Sequence, residues 1–436
     1  MMAGLSILCH YLQARRNFTR WKTREALEAW QDRQTITHLR HILRKSRYYR
    51  DHFEGLLLEN WREFPISTKA PLMASFDDWN TLGITLAEAG SVAEEAERSR
   101  DFSAMIQGCA VGLSSGTTGS RGVFLVSPEE RHRWAGTILA RVLRGTLGRP
   151  HRAAMFLRAD SPLYQTVGSK RFSFSFFDLF TPFEKHWPRL KELRPTLLAA
   201  PPSALVRLAA YPGTADLLTA PGILLSVADV LDDADRAIIE GGFGCKAGQL
   251  YQATEGFLAA TCPEGNLHWN EDAIAIQKEW IDPERTRYRP VITDFRRTTQ
   301  PVIRFRLDDV IVDASEERCP CGSIFARLEK IEGRQDDVFY LPSIHRGENV
   351  MIFPDFVRRA LILALPPGVE YTVVQTALDT WTVETDTDAF QEAIVREIEG
   401  LCVDLGVRPP TLTFAPWSPP HPGSKRRRIR RNFPAP

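Results

Sequence analysis

Residues 112 to 124 read GLSSGTTGSRGVF. Nine of these thirteen positions are Gly, Ser or Thr, and an apolar segment precedes them. Glycines free the backbone to turn several N–H groups toward one anion, and hydroxyls add further donors. The stretch therefore reads either as a phosphate cradle or as a mobile linker turn. It is not the nucleotide P-loop, which ends in Gly-Lys-Ser/Thr before a helix; here Ser120, Arg121 and Gly122 follow Gly119. The surrounding chain has to decide.

From about residue 105 onward, short apolar runs alternate with helical stretches. RAAMFLRA, PTLLAAP, GILLSVADV and GQLYQATEG read as buried strands that deliver small or polar residues at their C-terminal ends. PEERHRWAGTILARVLRGTL and DDADRAIIEGGF read as the helices between them. This alternation predicts a layered α/β domain, with ligands beyond the carboxyl ends of the strands. The first 60 residues read as helical, with Thr23 as an N-cap. After residue 336 the pattern becomes smaller and self-contained. VEYTVVQ, TWTVETD and TLTFAPW read as strands and DAFQEAIVREIEGLCVDLG as a helix, before a Pro-rich basic tail. The expected division is a large α/β domain over 1–335 and a small α+β domain over 336–436.

The totals exclude several classes. A chain of 436 residues, 43% hydrophobic and 25% charged, has the composition of an ordinary globule. Its net charge of +1 supplies no bulk field for nucleic acid or an anionic membrane. No apolar segment approaches the ~18 residues that span a bilayer. The N-terminal run is short, is broken by His10 and leads into Arg15 and Arg16, which reads against a signal peptide. Seven Cys do not suggest a secreted disulfide framework. The expectation is a cytoplasmic protein without nucleic-acid or membrane partners.

Four further stretches carry chemistry. In YQATEG, residues 251 to 256, Tyr251 can stack on a purine while Thr254 and Glu255 hold a hydrated divalent cation. PVIRFRLDDV, residues 301 to 310, ends in Asp308 and Asp309, which either accept from a ribose diol or are solvated. GRQDD, residues 333 to 337, sits at the expected domain boundary. PGSKRRRIRR, residues 422 to 431, taken alone reads as a solvated basic tail. Separately, TCPEGNLHW and RCPCGS supply Cys262, His268, Cys319 and Cys321. Three thiolates and one imidazole are the ligand set of a closed tetrahedral zinc site, with no position left for water, so its expected role is structural.

Taken in order, the hydroxyl-Gly loop, aromatic-Thr-Glu, strand ending in Asp, Gly-Arg-x-Asp and C-terminal Lys resemble the adenylate-forming superfamily of acyl-CoA synthetases and nonribosomal-peptide adenylation domains. STKAPLM, LYQATEGFLAATC, PVIRFRLDDV, RCPCGS and GRQDD are similar to the phenylacetate-CoA ligase branch, and within it to proteins related to synthetases that adenylylate a deazaflavin coenzyme. The resemblance implies that Ser114, Ser115, Gly116, Thr117, Thr118 and Gly119 wrap the β- and γ-phosphates of ATP. It places Tyr251 on adenine, Glu255 with Thr254 on Mg²⁺, Asp309 on the ribose and Arg334 near the ribose or phosphate. Asp336 would be the hinge about which the small domain rotates, and Lys425 the catalytic lysine of adenylation. The implied activity is ATP-dependent activation of a small aromatic carboxylate as its acyl-AMP, with pyrophosphate release and transfer to a thiol of CoA or an acyl carrier protein. The alternative is adenylylation of a phenolic coenzyme hydroxyl or of nitrite, without a thioester.

The sequence departs from its relatives in three places. The usual Pro-Lys or Pro-Thr of the loop is replaced by Arg121-Gly122, and the usual Gly-Lys reads Gly-Ser-Lys at 423 to 425. After GRQDD the chain runs VFYLPSIHRGENVMIFP, several residues longer than the segment that helps line a pantetheine route. The substrate pocket is expected along residues 158 to 180, where Phe172, Phe174, Phe176, Phe177 and Phe180 cluster near Lys170 and Arg171. Core packing is the more common explanation of such a stripe, a flat aromatic or conjugated substrate the functional one, and Lys170 and Arg171 either meet a carboxylate or are solvated.

Overall fold

Alternation of side chains across a pleated sheet explains the larger part of the molecule. In the computed structural model the described residues are 2–436 except 115–121, 144, 145, 147, 159, 161–165, 167–170, 221, 316, 346, 367 and 420–426. The chain forms two compact units, Met1–Leu307 with Asp313–Lys330, and Asp308–Val312 with Ile331–Pro436.

The first unit opens with helices α1 (Met2–Phe18) and α2 (Arg24–Ile42). Thr23 caps α2, its side chain accepting from the Ala26 N–H at 3.3 Å. Helices α3 (Arg47–His52), α4 (Lys69–Ala74), α5 (Phe76–Trp79) and α6 (Leu86–Ser99) follow. A three-stranded antiparallel sheet, β1 (Met105–Ile106), β2 (Cys109–Leu113) and β3 (Val123–Val126), then leads into α7 (Pro128–Val142). The sequence-predicted strands are β4 (His151–Leu157), β6 (Leu197–Ala200), β7 (Ile223–Ser226) and β8 (Ala247–Ala253); β5 (Phe172–Asp178) joins them at the edge. These five run parallel in the order β5-β4-β6-β7-β8.

Successive residues point to opposite faces, so a continuous apolar run feeds two cores. Ala153, Leu197, Ala199 and Leu225 pack under α1 and α7, with Tyr11, Ala135 and Leu139. Ala154, Leu198, Ala200 and Leu224 face the other way, against α8 (Phe183–Leu193), α9 (Pro202–Ala209) and α10 (Asp233–Phe243) through Leu190, Leu205 and Ile239. The result is a three-layer α/β/α sandwich. Strand β9 (Gly256–Thr261) turns back antiparallel on β8, and β10 (Leu267–Trp269) on β9. Strands β11 (Ile274–Trp280), β12 (Arg287–Asp294), β13 (Val302–Arg306), β14 (Asp309–Asp313) and β15 (Arg327–Arg334) follow along the chain.

The second unit has its own core. Strands β18 (Tyr371–Ala377), β19 (Thr380–Thr385) and β20 (Thr411–Pro416) carry helices α11 (Pro354–Ala364) and α12 (Gln391–Leu405). Val357, Leu361, Val373, Trp381, Ile394 and Ile398 meet in its interior. The long VFYLPSIHRGENVMIFP segment folds as a β-hairpin of β16 (Phe339–Pro342) and β17 (Asn349–Ile352). Part of the basic tail is not solvated as its charge suggests. Ile429–Arg431 is a strand, β21, parallel to β18, and Ile429 is buried.

Helices α1 and α7 approach closely because Gly136 has no side chain. A Cβ there would lie 2.7 Å from both the Ile7 carbonyl oxygen and the Tyr11 nitrogen. Gly90 in α6, by contrast, faces open space. Gly136→Ala is therefore expected to destabilise by about 1–3 kcal/mol through overpacking. Gly90→Ala is expected to stabilise by about 0.5–1 kcal/mol. Denaturant unfolding of the two variants checks the pair; equal shifts would contradict the close crossing.

Candidate functional site

The hydroxyl-rich loop springs from the β2–β3 hairpin, whose last register pair is Leu113 with Val123. One residue beyond, the Ser114 N–H donates to the Gly122 carbonyl at 2.7 Å, and the Gly122 N–H donates to Ser114 Oγ at 2.8 Å. The base of the loop is thus closed by two short bonds around a buried serine. Lys69, on α4, donates from Nζ to the same Ser114 Oγ at 3.0 Å. Ser115, Gly116, Thr117, Thr118 and Gly119 lie outside the described residues, as do Lys170 and Lys425.

Thr254 and Glu255 are the two residues of a tight hairpin turn, because Ala253 at the end of β8 pairs with Gly256 at the start of β9. Both line a cleft shared with Lys69, Gly122, Phe124 and Arg297. Arg297 ties the parts together. Its guanidinium donates to the Thr254 carbonyl, and to Gln300 Oε1 at 3.2 Å. Gln300, fully buried, accepts from the Leu125 N–H at 2.7 Å and donates to the Val123 carbonyl at 3.2 Å. It thereby fixes β3, the strand that leaves the loop.

Two buried carboxylates hold this connection from behind. Glu130 caps α7, accepting from Ser127 N–H at 2.9 Å, and also accepts from Thr298 N–H at 2.6 Å and Thr299 N–H at 2.8 Å. Burial opposes its charge, but the Arg297 cation and these N–H donors win and hold its carboxyl below the ordinary range. Asp294 accepts from the N–H groups of Arg296 and Arg297 at 2.7 and 3.0 Å. There burial wins and pushes the carboxyl up to about 6. Its Oδ2 would lie 3.2 Å from a Cβ at position 256, which keeps the hairpin close over it.

The remaining expected nucleotide residues divide between the units. Tyr251, in the first, is 8% exposed and packs its ring 5.7 Å from that of Trp269; it is not among the described residues lining the cleft. In the second unit, Asp309 and Arg334 come together, with Nε to Oδ1 at 3.7 Å. Asp308 is exposed, and its carbonyl accepts from the Gln335 N–H at 2.7 Å. Asp336 is partly exposed, whereas its neighbour Asp337 is buried. Asp337 accepts from the Arg334 N–H at 2.9 Å and pairs with the Arg427 guanidinium, whose Nε lies 2.8 Å from Oδ1.

A cysteine-histidine cluster stands apart. The ligand atoms of Cys262, His268, Cys319 and Cys321 all lie within 4.8 Å of one another. The Cys262 and Cys319 sulfurs are 3.7 Å apart, and Cys321 Sγ is 3.5 Å from His268 Nε2. Ligands ~2.3 Å from a tetrahedral centre stand roughly 3.7 Å from each other, so the spacing suits one divalent metal. Burial holds the His268 imidazole neutral, its pKa down to about 4. Nδ1 meets the Phe325 carbonyl at 2.8 Å, which orients Nε2 toward the thiols.

No family model matches the sequence, and no curated protein matches it. Solved structures do. A 2-hydroxyisobutyryl-CoA ligase in the postadenylation state, in complex with 2-HIB-AMP, superposes with a TM-score of 0.69 at 20% identity. The match covers 96% of this chain and 91% of that one. The chain has the adenylate-forming ligase fold. Anthranilate CoA ligase AuaEII with anthranoyl-AMP (TM-score 0.50, 14% identity, 72% of this chain and 66% of that chain) has the same likeness. So does amide bond synthetase McbA from Marinactinospora thermotolerans (0.51, 15%, 73% and 68%).

Within this ligase fold, motif reasoning missed Lys69, Arg297 and Gln300. STKAPLM and the residues before PVIRFRLDDV contain them, but no local pattern assigns them a partner. The aromatic stripe divides. Phe172 and Phe177 belong to the two cores, and Phe177 stacks on Phe156 at 4.8 Å. Phe174 and Phe176 are half-buried and Phe180 is exposed.

The raised carboxyl of Asp294 has a measurable consequence. Its ordinary value is 3.8, so the folded state holds the proton more tightly than the unfolded chain. Stability from this group is greatest below about pH 4 and is lost as pH rises toward about 6. Asp294→Asn keeps the accepting oxygen and removes the charge. Denaturant unfolding between pH 4 and 7.5 is expected to show the wild type losing stability relative to the variant across that window. Parallel curves would remove burial as the cause.

Proposed function

We propose that the protein is an ATP-dependent, adenylate-forming ligase that activates a small carboxylate as its acyl-AMP and releases pyrophosphate. The observation that carries this reading is the Thr254–Glu255 turn held in one cleft with the closed base of the hydroxyl-rich loop. Loop N–H groups and hydroxyls of residues 114 to 119 bind the β- and γ-phosphates. Glu255, with Thr254, holds magnesium, which when bound offsets phosphate charge. In the second unit Asp309 accepts from the ribose hydroxyls, with Arg334 beside it. Tyr251 stacks on adenine, a role that requires its ring, buried beside Trp269, to turn one face toward the base.

A substrate carboxylate oxygen attacks the α-phosphorus, and the bond to the bridging oxygen breaks with its electron pair passing to pyrophosphate. Negative charge spreads over the phosphoryl oxygens, so preorganised donors lower the barrier, and Lys425 is the principal one. Rotation about Asp336 then admits a thiol of CoA or a carrier protein to the acyl-AMP. The half-buried Phe174 and Phe176 on edge strand β5 favour an aromatic acid. Reduced thiols at the metal cluster fit the cytoplasm.

A panel of aromatic and aliphatic carboxylates, scored by pyrophosphate release with and without CoA, tests the reading. Release that depends on an acid is the expected result; ATP turnover with none of them would refute it. Lys425→Ala is expected to lose roughly 10²–10³ in pyrophosphate exchange, the effect of removing one transition-state donor. Unchanged exchange would exclude Lys425 from the reaction.

We assign zinc to the Cys262, His268, Cys319 and Cys321 cluster. Three thiolates and a neutral imidazole satisfy it completely, so it ties the β9–β10 turn to residues 319 to 321 and takes no part in the chemistry. Metal analysis is expected to find about one equivalent of zinc, the content of one closed site. Cys321→Ser should lose both the metal and thermal stability. Metal-free protein with unaltered unfolding would overturn the assignment.

A further inference from the structure

We propose that Lys69 binds the pyrophosphate end of the nucleotide, supplying from α4 a cation at the base of the hydroxyl-rich loop. The proposal rests on the adenylate-forming reading above and adds a ligand to which the sequence motifs assign no role. Three observations converge on it. Lys69 Nζ is 3.0 Å from the Oγ of Ser114, the first hydroxyl of the loop, so the ammonium stands at the loop's base. Position 122 is a glycine, and any side chain there would push this lysine aside. A Cβ there would lie 2.7 Å from Lys69 Cε and 3.4 Å from Nζ, so the lysine occupies the space that a side chain at 122 would fill. Finally, Lys69 lines the same cleft as Glu255 and Arg297. A cation beside a carboxylate suited to a divalent metal is the environment that a magnesium-bound polyphosphate completes.

The replacement of the usual Pro-Lys or Pro-Thr by Arg121-Gly122 acquires a physical reason. Loss of a side chain at 122 makes room for a lysine from another segment. In the adenylation step Lys69 stays protonated. As the bond between the α-phosphorus and the bridging oxygen breaks, the electron pair moves onto pyrophosphate, and the ammonium donates to its oxygens. No proton changes hands.

Calorimetric titration of the full chain with magnesium pyrophosphate, magnesium-ATP and AMP tests this. Lys69→Met is expected to weaken the first two by about tenfold or more, the scale of a charge-assisted hydrogen bond, and to leave AMP within about twofold. Lys69→Arg should restore part of the loss. Gly122→Ala, which displaces Lys69 without altering it, should move the affinities in the same direction. Equal weakening of all three ligands would make Lys69 a structural strut and overturn the proposal. Unchanged affinities, or a wild type that does not bind magnesium pyrophosphate, would overturn it too. Wild-type protein that binds pyrophosphate through Lys69 but activates no acid would refute the ligase reading and leave this assignment standing.

Discussion

A loop rich in glycine can turn its N–H groups toward one anion only if its two ends are held, because glycine brings no side chain that packing could restrain. Here that restraint comes from outside the loop, through the buried side-chain amide of Gln300. Its oxygen accepts from Leu125 and its nitrogen donates to Val123, so one side chain bonds β3 as a neighbouring strand would. Arg297 shares the same oxygen and reaches across to the carbonyl of Thr254. The departing strand of the loop and the Thr-Glu turn are therefore parts of one polar network. Such a network is rigid only when its members are satisfied, and an unpaired amide in this place would cost about 1–3 kcal/mol. Glu130 and Asp294 complete it by collecting the N–H groups of residues 296 to 299.

This dependence explains which parts of the molecule can be read from its sequence. Parallel strands covered on both faces are continuous apolar runs, so LLAA at 197 to 200 and ILLS at 223 to 226 announce themselves. Cys262, His268, Cys319 and Cys321 are legible because few residue types bind a soft metal, and their identities survive any uncertainty about the path between them. The Thr254–Glu255 pair is legible as the end of a strand, although its two-residue turn is not, since nothing local forces β9 to return along β8. Lys69, Arg297 and Gln300 are different. Lys69 meets a partner 45 residues away, and Gln300 meets Leu125 across 175. No periodicity encodes such pairings; only the assembled sheet does.

The basic tail illustrates the opposite error. A run of Lys and Arg reads as solvated because burying a cation is costly unless it is paired. In the second unit the pairing exists. Arg427 meets Asp337, Ile429 enters the core, and Ile429–Arg431 bonds to the edge of β18. The charges flank one apolar residue that anchors the strand, so the composition of the run conceals its register.

The GRQDD sequence then separates two tasks between adjacent residues. Asp337 points inward, where it accepts from the Arg334 N–H and from Arg427. Burial raises its carboxyl against the pull of Arg427 and of the Arg334 N–H. That lock joins the residue beside Asp309, the start of the small domain and the root of the segment that carries Lys425. Asp336 lies on the partly exposed side of the same short turn. A pivot has to change backbone angles without breaking a core, and a residue whose side chain were buried in an ion pair would resist that change. Fixing position 337 therefore leaves position 336 as the one of the two at which a change of backbone angle costs least, which is what the proposed hinge requires.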